Sequence, residues 1–145
     1  MKRLPLTLTL ASAVPFVALS VAVSARMFDD NGFVIHTLLT YSAVILSFLG
    51  GIHWGIAVSS YSHDKKTANM LITESVLPSI LAWGVLLHAP LHIQLLVLTV
   101  LFTFVWAIDS VLVGRKIVPL WFFEIRCIIT PVVVVSLYVA YFGMI

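Results

Sequence analysis

Four residues that can carry charge lie inside long apolar stretches of this sequence: His53, Glu74, Asp109 and Arg126. A histidine changes its protonation near neutral pH, and carboxylates and a guanidinium can hold a proton or a polar group. Together they are candidates for binding a proton, a small polar ligand or a lipid head group. The value of this hypothesis depends on whether the apolar stretches cross a membrane.

The composition indicates a membrane protein. Hydrophobic residues make up 61% of the 145 residues and charged residues 10%, with a mean hydropathy of +1.14, against roughly half and a quarter in soluble domains. The formal net charge of +2 is too small to favour a nucleic-acid partner. The single cysteine, Cys127, excludes an internal disulfide bond.

Five apolar segments are each long enough to cross a hydrocarbon core of about 30 Å, which needs about 20 helical residues. They are joined by short polar connections, which favour helices that alternate in direction. The sequence therefore predicts an all-α integral membrane bundle of five antiparallel transmembrane helices, with residues 1–145 as a single domain. The segments are Leu4–Ala25, Phe33–Ser60, Met70–His88, Leu91–Val113 and Leu120–Ile145.

The basic residues predict the orientation of the bundle. The first segment has an alternative interpretation as a cleaved secretory signal, but its length and its two prolines favour retention. Lys and Arg concentrate on the inner side of membranes, so we expect a multi-pass protein of the inner (cytoplasmic) membrane with its N-terminus inside and its C-terminus outside. Six basic residues then lie inside and Arg26 outside; the six are Lys2, Arg3, Lys65, Lys66, Arg115 and Lys116.

The four charged residues fall at one depth. Counted from the inner helix ends at about 1.5 Å per residue, they lie roughly 6 to 10 Å into the membrane. Because a charge near the bilayer centre costs about 2.5 to 3.5 kcal/mol, we expect Asp109 and Arg126 to pair, which leaves open a purely structural role for the pair. Glu74 has an alternative interpretation as an interfacial residue, and His53 as a hydrogen-bonded packing residue. The candidate ligand- or proton-binding residues are His53, Trp54, Glu74, Asp109, Arg126 and Thr130.

Small residues recur at every fourth position of the second segment and surround a GxxxG motif. Such stripes let membrane helices approach closely, so we expect them to form a packing face. His53 lies about 200° round the helix from Gly51, on nearly the opposite face. The candidate packing residues are Ala43, Ser47, Gly50, Gly51 and Gly55.

No motif for catalysis, phosphate binding or dinucleotide binding is found, so we assign no catalytic residue and expect no cofactor. His36, His88 and His92 lie near the predicted outer helix ends. Imidazole groups can bind zinc or copper, but Pro90 interrupts the helical spacing of two of them, and interfacial histidines are the favoured interpretation. We therefore assign no metal site.

Several motifs resemble a known family. These are Pro15-Phe16, the run Tyr41–Gly51 followed by Trp54-Gly55, and Pro119-x-Trp121 with Ile125-Arg126 and Thr130. They are similar to the uncharacterised membrane protein family called domain of unknown function thirty-four twenty-nine, typified by mitochondrial transmembrane protein sixty-nine. The resemblance implies a small multi-helix inner-membrane protein and no established activity. Ile125 stands where the pattern has leucine.

Two classes of function remain. In the first, the polar layer makes the chain a non-enzymatic binding protein or carrier in the lipid bilayer. In the second, the chain is an accessory or assembly protein of a larger membrane complex, and the glycine face contacts other membrane proteins or a second copy. An enzyme is the less favoured third class.

Overall fold

The computed structural model describes residues 3–145, and all regular elements in that range are α-helices. All five helices are long and apolar enough to cross a membrane, which confirms the predicted five-helix transmembrane bundle. The antiparallel order and the single domain stay predictions. The helices are α1 (Arg3–Ala25), α2 (Asn31–Ser60), α3 (Lys65–His88), α4 (Leu91–Gly114) and α5 (Leu120–Met144).

Aspartates cap two of the helices and extend them beyond the apolar segments. The side chain of Asp30 accepts a hydrogen bond from the backbone N–H of Phe33 at 3.0 Å, so α2 begins before Phe33. Asp64 accepts bonds from both the backbone N–H and the hydroxyl of Thr67, and α3 begins at Lys65 rather than at Met70. These bonds lower the pKa of Asp64. Hydropathy missed this turn because it is polar, whereas a capped helix continues into water.

Helices α2 and α4 each contact three others: α2 contacts α1, α3 and α4, and α4 contacts α2, α3 and α5. The most extensive interfaces are those of α2 with α3 and of α1 with α5. Fully buried side chains such as Phe16, Leu38, Leu46, Leu98 and Leu137 form the main apolar core. The opposite faces carry exposed apolar side chains on all five helices, as expected for a surface in contact with lipid.

The close approach between α2 and α3 takes place at Gly50, not at the GxxxG motif. A Cβ atom at Gly50 would clash with the backbone carbonyl oxygen of Ser75, whereas Gly51 and Gly55 have open space where a Cβ atom would stand. The expectation that Gly51 packs against a neighbouring helix of the bundle is therefore wrong. At Ser47, Gly51 and Gly55 the stripe points outwards, because all three residues are exposed. Ala43, at the start of the stripe, is partly buried and packs against the apolar core.

Replacing Gly50 with alanine should destabilise the bundle, and the same change at Gly51 should not. Both substitutions gain about 0.5 to 1 kcal/mol of helix propensity, so a difference between the variants reports the clash with Ser75. Thermal unfolding of the purified proteins in detergent measures it. We expect a lower melting temperature only for Gly50→Ala. Equal melting temperatures would contradict the close contact.

Candidate functional site

His53 lies between two carboxylates in the interior of the bundle. Its Nδ1 atom is 2.6 Å from Oε1 of Glu74, and its Nε2 atom is 2.7 Å from Oδ1 of Asp109. The three residues are 1%, 6% and 1% exposed, respectively. The alternative interpretation of Glu74 as an interfacial residue does not fit this burial.

Asp109 joins the histidine to an arginine. Its second oxygen, Oδ2, accepts a hydrogen bond of 2.7 Å from Nε of Arg126, and the Arg126 side chain is buried. The ion pair predicted from equal depth is thus present. His53, Glu74, Asp109 and Arg126 together are called the buried network below.

Each member of the buried network comes from a different helix. His53 is on α2, Glu74 on α3, Asp109 on α4 and Arg126 on α5. Because no two of them share a helix, these side chains can neutralise one another only across the helix interfaces. The network therefore links the four helices at one level of the bundle.

Several polar atoms in and beside the network have no hydrogen-bond partner among residues 3–145. They include Oε2 of Glu74, Nη2 of Arg126, Oγ1 of Thr130 and Nε1 of Trp106. The contact between His53 and Glu74 is a close ion pair by distance, but its direction is not that of a hydrogen bond, and both atoms lack another partner. Buried polar groups are normally paired, so these unpaired atoms distinguish the network from an ordinary buried ion pair.

The distances favour one proton in each contact of His53 with a carboxylate. A neutral imidazole has one N–H and one lone pair, and an unprotonated ring nitrogen at 2.6 or 2.7 Å from a carboxylate oxygen would be repelled by it. One proton is therefore needed in each contact, whether it resides on the ring or on a carboxyl group. With two protons, His53, Glu74 and Asp109 carry a net charge of −1, which the guanidinium of Arg126 balances.

Two candidate binding residues remain, and only Thr130 lies near the buried network. Thr130 is buried one helical turn from Arg126, on the same helix. Trp54 is 45% exposed, on the outside of the bundle, because it neighbours His53 in sequence and so points in another direction. The structure does not bring it into the network.

The outer histidines are also separate from the network. His36, His88 and His92 are exposed, and residues 3–145 contain no group of three side chains that could hold a metal ion. Glu124 is exposed as well.

Sequence reasoning missed one feature of the site. It placed His53, Glu74 and Asp109 in one layer but did not pair the histidine with the two carboxylates. Trp106 lies nearly one helical turn before Asp109, a spacing that predicts it in the same layer. Its indole N–H is buried without a partner among residues 3–145, and its ring stacks on Phe123 at a centroid distance of 5.9 Å.

Comparison with known proteins identifies the family. Residues 1–142 match the family described as protein of unknown function (DUF3429). The chain belongs to the DUF3429 family. Transmembrane protein 69 of Xenopus tropicalis is a relative, 35% identical over 134 residues that cover 91% of this chain. The DUF3429 chain spans about half, 51%, of the length of that relative. No solved structure matches the chain.

A double-mutant cycle on this DUF3429 chain should show strong coupling between Asp109 and Arg126. Asp109→Asn and Arg126→Gln each leave a buried charge without its partner, a loss that typically costs about 3 to 5 kcal/mol. The double mutant removes both charges, and its loss of stability should be smaller than the sum of the single losses. Folded yield and thermal unfolding in detergent measure the effect. Strictly additive losses would show that the contact carries no coupling energy.

Proposed function

We propose that this chain is a non-enzymatic membrane binding protein or carrier whose site is the buried network. The bound species is a proton, and the free polar atoms of the network accept a further group. With the basic residues on the inner side of an inner membrane, the site lies in the inner half of the bilayer.

The observation that carries this proposal is the position of His53 between Glu74 and Asp109. Two contacts of 2.6 and 2.7 Å surround one titratable ring. Removing a proton would leave a lone pair against a carboxylate and an uncompensated buried charge. Proton binding is therefore coupled to the geometry of four helices, which is what a carrier or a sensor of a bound group requires.

A purely structural role explains the buried network less well. Replacing a buried ion pair with apolar residues of similar volume is often neutral or stabilising, so a bundle that needed only stability could use leucine at these positions. In addition, a structural network would be expected to satisfy its own atoms. Here Oε2 of Glu74 and Nη2 of Arg126 have no partner in the described residues.

Spectroscopy can count the protons directly. In protein labelled with ¹⁵N at histidine, His53 should have both ring nitrogens protonated at neutral pH. If the second proton resides on Glu74 instead, infrared spectra should show a protonated carboxyl band that Glu74→Gln removes. His53→Gln assigns the histidine resonance.

The matched control for this measurement is His63→Gln, because His63 is exposed in the connection between α2 and α3. This change should leave the His53 resonance and the carboxyl band as they are in the unsubstituted protein. A His53 ring with one bare nitrogen, together with the absence of a protonated carboxyl band, would refute proton binding by the network.

The second candidate function is that of an accessory or assembly protein in a larger membrane complex. The observation that favours it is the outward position of the small-residue stripe. Gly51 and Gly55 are exposed, with open space above them, and Phe48 and Trp54 beside them are 65% and 45% exposed. A partner helix could approach the backbone of α2 along this face.

Substitution of Gly51 by leucine tests the accessory function. In native membranes solubilised with mild detergent, the protein should migrate as part of a larger complex, and Gly51→Leu should release it as a smaller species without lowering its melting temperature. Gly84→Leu on α3 is the control, since Gly84 also has open space. Identical migration of the two variants and the unsubstituted protein would count against a partner on this face.

A further inference from the structure

A cavity of about 570 Å³ lies between α1, α2 and α5, beside the buried network. This volume is within the range of about 300 to 1,000 Å³ that is typical of small-molecule sites. Its wall is mainly apolar and includes Leu8, Phe16, Ile45, Phe48 and Ile129. An apolar ligand, or the apolar part of an amphiphile, fits such a wall.

The cavity is accessible from the side of the bundle. Leu8 on α1 and Phe48 on α2 both line it, and they are 61% and 65% exposed. The packing of α1 against α2 is much less extensive than that of α1 against α5. Because this surface faces lipid, a ligand dissolved in the bilayer can enter without crossing water.

Two polar side chains of the wall, Thr9 and Ser12, are already satisfied. The hydroxyl of Thr9 donates to the carbonyl oxygen of Pro5 at 2.7 Å, and that of Ser12 donates to the carbonyl oxygen of Thr9 at 2.6 Å. The carbonyl oxygen of Ser12 in turn accepts a bond of 2.7 Å from the hydroxyl of Tyr41.

Two other polar side chains of the wall have atoms without a hydrogen-bond partner in residues 3–145. Arg126 and Thr130 line the cavity and are each 6% exposed, and Nη2 of Arg126 and Oγ1 of Thr130 have no hydrogen-bond partner in residues 3–145. The other threonine hydroxyls of the chain all donate a hydrogen bond within it. Thr130 is thus exceptional, and its hydroxyl is available beside a guanidinium N–H.

We propose that the cavity binds an amphiphile with one long apolar chain and an uncharged head group whose carbonyl oxygen accepts hydrogen bonds from Arg126 and Thr130. The apolar wall takes the chain, and the two free donors take the oxygen. The buried network is neutral when it holds its two protons, so a phosphate or another permanent anion would add an uncompensated charge. This step of the argument rests on the proposed function, because it takes the network's protons as present.

Carboxyl and ester groups both supply such an oxygen. A long-chain acid would enter with its own proton, as a neutral acid, and an ester needs none. The probes are therefore dibromostearic acid, its methyl ester and the dibromoalkane of the same chain length, each added to the full chain in phosphatidylcholine nanodiscs. Bromine quenches tryptophan fluorescence at short range.

Trp121 serves as the reporter because it lines the cavity. In the reporter protein the other three tryptophans, Trp54, Trp83 and Trp106, are replaced by phenylalanine. A matched protein that keeps only Trp83, which is 65% exposed on α3, measures quenching by probe dissolved in the bulk lipid.

The acid and the ester should quench Trp121 with saturation at concentrations where they barely affect Trp83, and the alkane should not. Thr130→Val, which removes the free hydroxyl, should weaken binding about two- to tenfold, as expected for one hydrogen bond. Thr130→Ser should restore it. Ile45→Phe should fill the cavity and abolish the saturable quenching, whereas Ile80→Phe, at an exposed position of α3, should not.

Three results would overturn the proposal. Equal quenching of Trp121 and Trp83 would show that the cavity takes no ligand, saturable quenching by the alkane would show that the head group plays no part, and quenching by the acid alone would refute an uncharged acceptor. Each of them leaves the ¹⁵N and infrared signals of the buried network unchanged, so a failure of the ligand and a failure of proton binding can be told apart.

Discussion

Electroneutrality inside the hydrocarbon layer is the constraint that organises this bundle. His53, Glu74, Asp109 and Arg126 are removed from water, and none of them can be neutralised by a residue of its own helix at the distances observed. Because the cost of an unpaired charge is large there, the four helices must meet at one level, and each must be rotated about its axis so that its charged side chain faces the others. Apolar packing alone would allow many settings, since lipid and leucine side chains are similar environments.

Arg126 connects two different environments. Its Nε atom donates to Asp109 in the buried interior of the bundle, while the same residue lines an apolar cavity between α1, α2 and α5. A group bound in the cavity would therefore act on the charge balance of His53 and Glu74 without touching either of them. Coupling between a bound amphiphile and a bound proton requires only that one guanidinium takes part in both.

The sequence predicted the features that depend on the mean hydropathy of a segment and on the number of residues between two positions. Long apolar segments predicted the five helices, and counting residues predicted that the charges lie at one level of the bundle. The pair of Asp109 and Arg126 was predicted in this way, on helices joined by a short connection. Rotation of the helices about their axes was harder to predict. Small residues occupy more than one face of α2, so the pattern could not show that Gly50, rather than Gly51, faces α3, nor that Trp54 points outwards. The cavity is a place where packing is incomplete, and no residue pattern encodes that directly.

At Gly50 the backbones of α2 and α3 lie so close together that no side chain fits between Gly50 and Ser75. Gly50 lies one helical turn from His53, and Ser75 is the neighbour of Glu74, so the distance between the two backbones sets how closely imidazole and carboxylate can meet. A methyl group at Gly50 would move α3 outwards and lengthen the 2.6 Å contact. The absence of a side chain at this position is thus a requirement of the contact between His53 and Glu74 as much as of the fold. A bundle that tolerated alanine there by shifting α3 would keep its helices and lose that contact.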